Sequence, residues 1–343
     1  PVGSKIFMVS QFEDVPGAMY LTALAQDKQT GLLKALSTRP IDVSGVHGGR
    51  LHCAGSVTPW NGHLGSEEYE PDAREPNADL ASMADYFSGD PDQLNPYDYG
   101  WALEVKVLDE AGRTEVIKHY AMGRRSLELA YVMPDRRTVY LTDDGTNVGL
   151  FMFIADQPGD LSAGTLYAAR WVQKDDHQIP RAEHPGAPPG FVPNPRGRDG
   201  GAGALRWVGL GHAAADEIRR QIRNEIDFAD IFEVEEPAGE ACPQGFRSIN
   251  TGQGSPFHEC LKLRDGMGKA ASRLESRRYA AYQGATTEWR KMEGLTHDPE
   301  GGRLFLAMSE IALGMEDHMD RGKPSSSFDR GGPNHIRLPH NLC

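Results

Sequence analysis

The chain has 343 residues, a formal net charge of −13 and 39% hydrophobic residues, with a mean hydropathy of −0.52. This is enough apolar material for a core, and no run approaches the roughly 18 apolar residues that a membrane span needs. The acidic balance excludes nucleic acid as the main partner, because phosphate backbones bind to basic faces. No charged-then-apolar leader pattern opens at Pro1. Glycine and proline, 39 and 23 residues, make the loop-rich composition of an all-β fold with many turns.

The first informative stretch is Leu51–Ala73, "LHCAGSVTPWNGHLGSEEYEPDA". "AGSVTPW" is a tight connection shaped by Gly and Pro, and "SEE" follows one short strand later. A strand out and a strand back would put Cys53 and Glu68 at the same end of one hairpin. Strand signals then follow in order: "YGWALEVKVLD" (99–109) with "TEVIKHYAM" as its hairpin partner, "RTVYLTDD" (137–144) and "GLFMFIAD" (149–156) around an Asp-Gly turn, and "GTLYAARWV" (164–172). Gln178 to Gly203, rich in Pro, Gly and Arg, reads as a long surface loop. "GHAAADEIRRQIRNEIDFADIF" has helical spacing, with Ile218, Ile222 and Ile226 on one face, and "KAASRLESRRYAAYQG" (269–284) reads as a second helical stretch. "GRLFLAMSE" (302–310) returns to strand character. Short strands at this spacing predict a β-propeller or a sandwich, with 173–285 as an insertion region of loop and helices.

Two segments share a plan. Glu128 opens "ELAYVMPDRRTVYLTDD" and Glu293 opens "EGLTHDPEGGRLFLAMSE". In each, a Pro stands six residues after the Glu, followed by a polar turn and a strand. A propeller brings such repeated acids to one axis, so Cys53, Glu68, Glu128 and Glu293 are expected around one central cavity.

Of the four cysteines, Cys242 and Cys260 bracket a turn-rich loop that can close as a disulfide, which would imply an oxidising compartment. Cys53 by itself reads as a small buried hydrophobe. Beside carboxylates its thiolate is electrostatically unfavourable unless a cation sits between them, and the combination therefore points to a metal. Thiolate suits iron and carboxylates suit calcium. The histidines show no H-E-x-x-H spacing, and neither a dinucleotide loop nor a G-x-S-x-G elbow is present.

"CAGSVTPWNGHLGSEE" resembles the signature of the PhoX-type alkaline phosphatases, which reads roughly C-A-G-G-x-T-P-W-G-T-W-L-x-C-E-E. "YGWALEV", "GRRSLELA", "VYLTDD", "LFMFIAD", "GTLYAARW" and "KMEGLTHDPEGGRLFLAMS" match later family segments in order, so the resemblance runs from about Gly45 to Asn341. It implies a single all-β β-propeller, about six blades when complete, exported to the periplasm or secreted. It also implies a phosphomonoesterase for small-molecule phosphate esters, working through a mixed iron–calcium cluster. Carried over by motif, the metal-binding residues are Cys53, Glu68, Glu128, Glu293 and the pair Asp143 and Asp144, of which either one can be the ligand.

The sequence departs from the pattern in four respects. Ser66 replaces a cysteine and Leu127 a histidine. Lys291 stands where a phosphate-binding arginine is expected, with Arg290 adjacent as the other catalytic candidate. A segment with an N-H-E-type acid is expected ahead of Pro1 and a final blade after Cys343, leaving another chain or a cleaved fragment to complete the propeller. The alternative function is a non-catalytic propeller, a binding or assembly module that keeps the fold and retains calcium alone or no metal.

Overall fold

A computed structural model describes residues 2–76, 78–173, 203–238, 242–252 and 258–310, with a few isolated positions beyond. The first sheet is an antiparallel meander of β1 (Ile6–Phe12), β2 (Ala18–Gln26) and β3 (Leu33–Pro40). A second, four-stranded sheet joins β4 (Gly55–Val57), β5 (His63–Gly65), β6 (Leu103–Val107) and β7 (Thr114–Lys118) in chain order. Met19 and Leu21 of β2 pack on Leu103 and Val105 of β6, so alternate apolar residues clamp the two sheets together.

The central sheet contains β8 (Leu127–Val132) and β9 (Thr138–Asp143). Next in the chain, the short β10 (Thr146–Val148) leaves that sheet before β11 (Phe151–Gln157), β12 (Asp160–Gln173) and β13 (Gly203–Ala214) complete it in the order β13-β12-β11-β9-β8. The inward residues Val139, Leu141, Phe151, Phe153 and Leu166 form the largest core. β9 and β11 do pair, but the expected simple Asp-Gly turn between them is instead an excursion that carries β10 away. β13, within the expected insertion region, is a member of this sheet.

A third sheet of β14 (Phe232–Glu235), β15 (Arg247–Asn250) and β16 (His258–Leu263) is covered by helices. The first helix, Ala215–Arg223, buries Ile218 and Ile222, as its periodicity predicts, but it ends before Ile226, which the same spacing puts on that face. The second helical stretch divides at Glu275 into Gly268–Leu274 and Ser276–Tyr282. Cys242 and Cys260 are joined by a disulfide, with Cα atoms 5.4 Å apart. The long loop read at Gln178–Gly203 lies outside the described residues up to 202.

Finally β17 (Trp289–Arg290) pairs with β10, and β18 (Met292–Asp298) pairs with β19 (Arg303–Met308). The hairpin β18–β19 packs beside β8 and β9. The fold is thus all-β and propeller-like: small antiparallel sheets, built largely from strands consecutive in the chain, with helices on one flank. No helix among the described residues is long and apolar enough to cross a membrane.

Candidate metal centre

Cys53 lies just before β4 and Glu68 just after β5, so the hairpin brings them to one end. The Glu68 amide donates to Leu51 O at 2.9 Å, which fixes the two segments side by side. Gln11 of β1 holds the thiol-bearing loop, its Nε2 donating to the carbonyls of Cys53 at 2.7 Å and Ala54 at 3.1 Å. Glu128 arrives from β8, and Cys53 Sγ donates to its Oε1 at 3.1 Å.

Ligand atoms of Glu13, Cys53 and Glu68 all lie within 4.8 Å of one another, and so do those of Glu68, Glu128 and Asp144. Glu68 belongs to both groups and is their hinge. Glu293 stands beside this cluster. Its carboxylate is 3.5 Å from Lys291 Nζ, and Lys291 Nζ lies 2.7 Å from Asp144 Oδ2. Ser309 Oγ also donates to Glu293, at 2.5 Å.

The two repeated glutamates share a local device. In β8 the pairing register jumps between Leu127 and Ala130, and in β18 between Met292 and Gly294. Each Glu therefore sits at a β-bulge, where the strand bends and re-aims a side chain.

Asp143 does not join the cluster. It ends β9, while Asp144 follows it, and neighbouring residues of an extended chain point opposite ways. Asp143 is buried against Arg277, with oxygen–nitrogen distances of 2.7 and 3.0 Å, and accepts from the Gly149 amide at 3.1 Å. The same alternation separates the two candidate cations. Arg290 is engaged by Glu310 at 2.5 Å and by the Thr146 hydroxyl. Lys291, with φ +48, turns to Asp144.

Glu13 was missed. It sits in the β1–β2 connection, and its spacing from Cys53 carries no motif that marks it. Tyr69 was missed as well: its hydroxyl donates to Asp144 Oδ2 at 2.7 Å, and nothing in the spacing marks it.

The electrostatics are those of a site short of positive charge. Burial, a proton shared with Asp144 and the neighbouring carboxylates push Glu68 up to about 9. Burial raises Glu128 to about 7, against the Cys53 hydrogen bond and with help from Glu293, Asp144 and Glu13. The Cys53 thiol is pushed far up by burial, its bond to Glu128 and three nearby carboxylates. Burial opposes ionisation of Asp144 too, but a proton shared with Glu68 and the donors Lys291 and Tyr69 hold it below the usual range. Lys291 is raised, since Asp144 and Glu293 outweigh its burial.

The donor set fits cations. Among the described residues no nitrogen or hydroxyl donor reaches the buried Asp144 Oδ1, and four carboxylates and a thiol converge where the ion pairs supply one ammonium. Hard oxygens with one soft sulfur accommodate calcium-like and iron-like ions in one centre.

Fold and centre together define a class: an all-β protein with a cluster of one thiol and several carboxylates between its sheets. The sequence assigns the family. Residues 18–332 match the family described as alkaline phosphatase PhoX, and the chain belongs to that family, as the resemblance implied. Among solved structures it is similar to Pseudomonas fluorescens PhoX in complex with vanadate, a transition state analogue, at 17% identity over 93% of this chain and 52% of that one, with a TM-score of 0.47. It is also similar to a protein of Bacteroides uniformis described as a candidate 6-phosphogluconolactonase, at 12% identity over 89% of this chain and 75% of that one, with a TM-score of 0.27. The chain spans about half the length of the Pseudomonas protein. No curated protein matches it.

Proposed function

We propose that this chain carries the metal centre of a phosphomonoesterase acting on small phosphate esters, with iron and calcium as its cations. The observation that carries the reading is the convergence of Cys53, Glu13, Glu68, Glu128 and Asp144 with too little positive charge to balance them. Cys53 offers the soft donor for iron, and the carboxylates offer hard donors for calcium. When bound, such ions neutralise the charge of a phosphate ester and act as Lewis acids toward it.

The chain's own groups divide the remaining work. Lys291, still 30% exposed, is the cation best placed to hold a phosphate oxygen at the mouth of the site. Glu293 sets the position of Lys291, and Ser309 sets that of Glu293. Arg290 is held by Glu310 and Thr146, so a phosphate-binding role requires it to leave both. Asp143 serves the scaffold through Arg277. The Cys242–Cys260 disulfide supports an oxidising compartment, and with it export to the periplasm or secretion.

The test is elemental analysis of the purified protein together with hydrolysis of a chromogenic phosphate monoester. Near-stoichiometric iron and calcium with turnover is the expected result. Protein that takes up neither ion and hydrolyses nothing defeats the proposal. Calcium alone without turnover leaves a non-catalytic binding module.

A further inference from the structure

The two oxygens of Asp144 are treated differently. Oδ2 accepts from Tyr69 Oη at 2.7 Å and from Lys291 Nζ at 2.7 Å. Oδ1 is buried, and among the described residues no nitrogen or hydroxyl donor reaches it. A buried, unpartnered carboxylate oxygen is costly unless something else meets it. Ligand atoms of Glu68 and Glu128 lie within 4.8 Å of each other and of a carboxylate oxygen of Asp144, and without a cation Glu68 shares a proton with Asp144.

Both donors to Oδ2 sit on strained backbone. Tyr69 has φ +44 and Lys291 has φ +48, a region that bulky side chains avoid. Each is pinned on both sides. The Tyr69 amide donates to Ser126 Oγ at 2.9 Å, and its carbonyl accepts from the Arg50 guanidinium. The Lys291 amide donates to Gly145 O at 3.1 Å, and its carbonyl accepts from the Ser309 amide at 3.1 Å. Strain maintained in this way, at two places converging on one atom, marks positions whose side-chain direction matters. Simple satisfaction of a phenol does not account for it. Tyr69 is 46% exposed as a residue, so its placement on strained backbone is not imposed by burial in a core.

We infer that Tyr69 is a positioning residue of the centre: with Lys291 it captures Asp144 Oδ2 and leaves Oδ1 as the single oxygen that Asp144 presents to a cation shared with Glu68 and Glu128. The inference rests on the metal-centre reading above. The two donors are not redundant. Lys291 brings charge on a flexible stem, whereas the phenol, with two side-chain torsions, fixes direction. Outer partners of this kind commonly govern metal affinity by 10–100-fold.

The test uses the full chain stripped of metal. Calcium binding is measured by titration calorimetry, and the melting temperature is measured without metal, for wild type and Tyr69→Phe. The expected result is a 10–100-fold weaker calcium Kd in Tyr69→Phe, with the metal-free melting temperature unchanged. The calcium-induced infrared difference spectrum should also lose, in Tyr69→Phe, carboxylate bands with the wide splitting of one-oxygen coordination. An unchanged Kd, or a weaker Kd matched by a lower metal-free melting temperature, overturns the inference and leaves the metal centre standing. Wild type that binds no calcium overturns both. Should Tyr69→Phe not fold, Ser126→Ala, which loosens the Tyr69 backbone from outside the centre, must weaken the Kd in the same direction.

Discussion

Two buried regions of this molecule are rich in carboxylates, and they are balanced in opposite ways. Under the helices, Arg278 is wholly buried and binds Asp72 at 2.9 Å, Glu259 at 2.7 Å and Glu275 at 2.9 Å. Arg277 beside it binds Asp143 at 2.7 Å and Glu70 at 3.5 Å, and Arg74 adds a second cation to Glu259 at 2.8 Å. There each acid faces a guanidinium, whose planar fork serves more than one carboxylate. At the hairpin end, buried Glu68, Glu128 and Asp144 and the exposed Glu13 face one another and a thiol, and Lys291 reaches only the edge. Burial of acid alone therefore says little. Burial of acid without its cation is what distinguishes the proposed metal centre from the structural region.

Removing a cation from the balanced region should have the largest effect. Arg278→Met leaves three buried carboxylates around an uncharged side chain, and a loss of about 3–5 kcal/mol in denaturant unfolding is expected. A loss below about 1 kcal/mol would mean that Arg74 suffices and that the contrast is weaker than drawn. Next comes the disulfide, which ties β16, the strand of Glu259, to the loop at Cys242 across a separation of 18 residues. Its removal by Cys242→Ala and Cys260→Ala together should cost about 3 kcal/mol by loop entropy while leaving calcium affinity unchanged. A shift in calcium affinity would show that the two regions are coupled.

The pH dependence should separate the regions by sign. Glu68 and Glu128, raised to about 9 and about 7, keep protons in the folded state that the unfolded chain releases above about 4.5. Metal-free protein should accordingly keep the full contribution of these groups below about 4.5 and lose it as pH rises toward 9. Asp72 works the other way: burial opposes its ionisation, but Arg278 holds it below 3.8, so its contribution is present above that pH and is lost on acidification. Saturating calcium should flatten the alkaline slope and leave the acid limb unchanged. Melting temperature against pH, with and without calcium, decides this, and a slope indifferent to calcium would place the raised protons elsewhere.

The smallest effect expected is from Glu68→Gln. An amide in place of a carboxyl that is protonated anyway should raise metal-free stability by about 1 kcal/mol and remove much of the alkaline slope. The same variant should lose calcium, because the residue common to both ligand groups no longer offers an anion. A variant that is less stable and still binds calcium would make Glu68 a packing residue.

Much of the centre was legible in the chain. The spacing of Cys53 and Glu68 around a tight turn described a hairpin, and the hairpin β4–β5 exists. The shared plan after Glu128 and Glu293 described two more, and both exist, in contact with each other. Adjacent residues were harder to separate. Asp143 and Asp144, or Arg290 and Lys291, are equal in composition and motif, yet one of each pair serves the scaffold and the other faces the centre.

The sequence by itself determined the class of fold and the family, and it marked Cys53, Glu68 and Glu128 as neighbours, because hydrophobic alternation, turn residues and motif spacing are local properties of the chain. Tertiary structure alone decided which oxygen, which of two neighbours and which distant partner meet. One residue at a strand end reverses the face of a side chain, and the bulges at Glu128 and Glu293 shift register by amounts no spacing records. Glu13 and Tyr69 reach the centre only because β1, the segment after β5 and the end of β9 are packed within hydrogen-bonding reach of one another, and that proximity is set by the core beneath them.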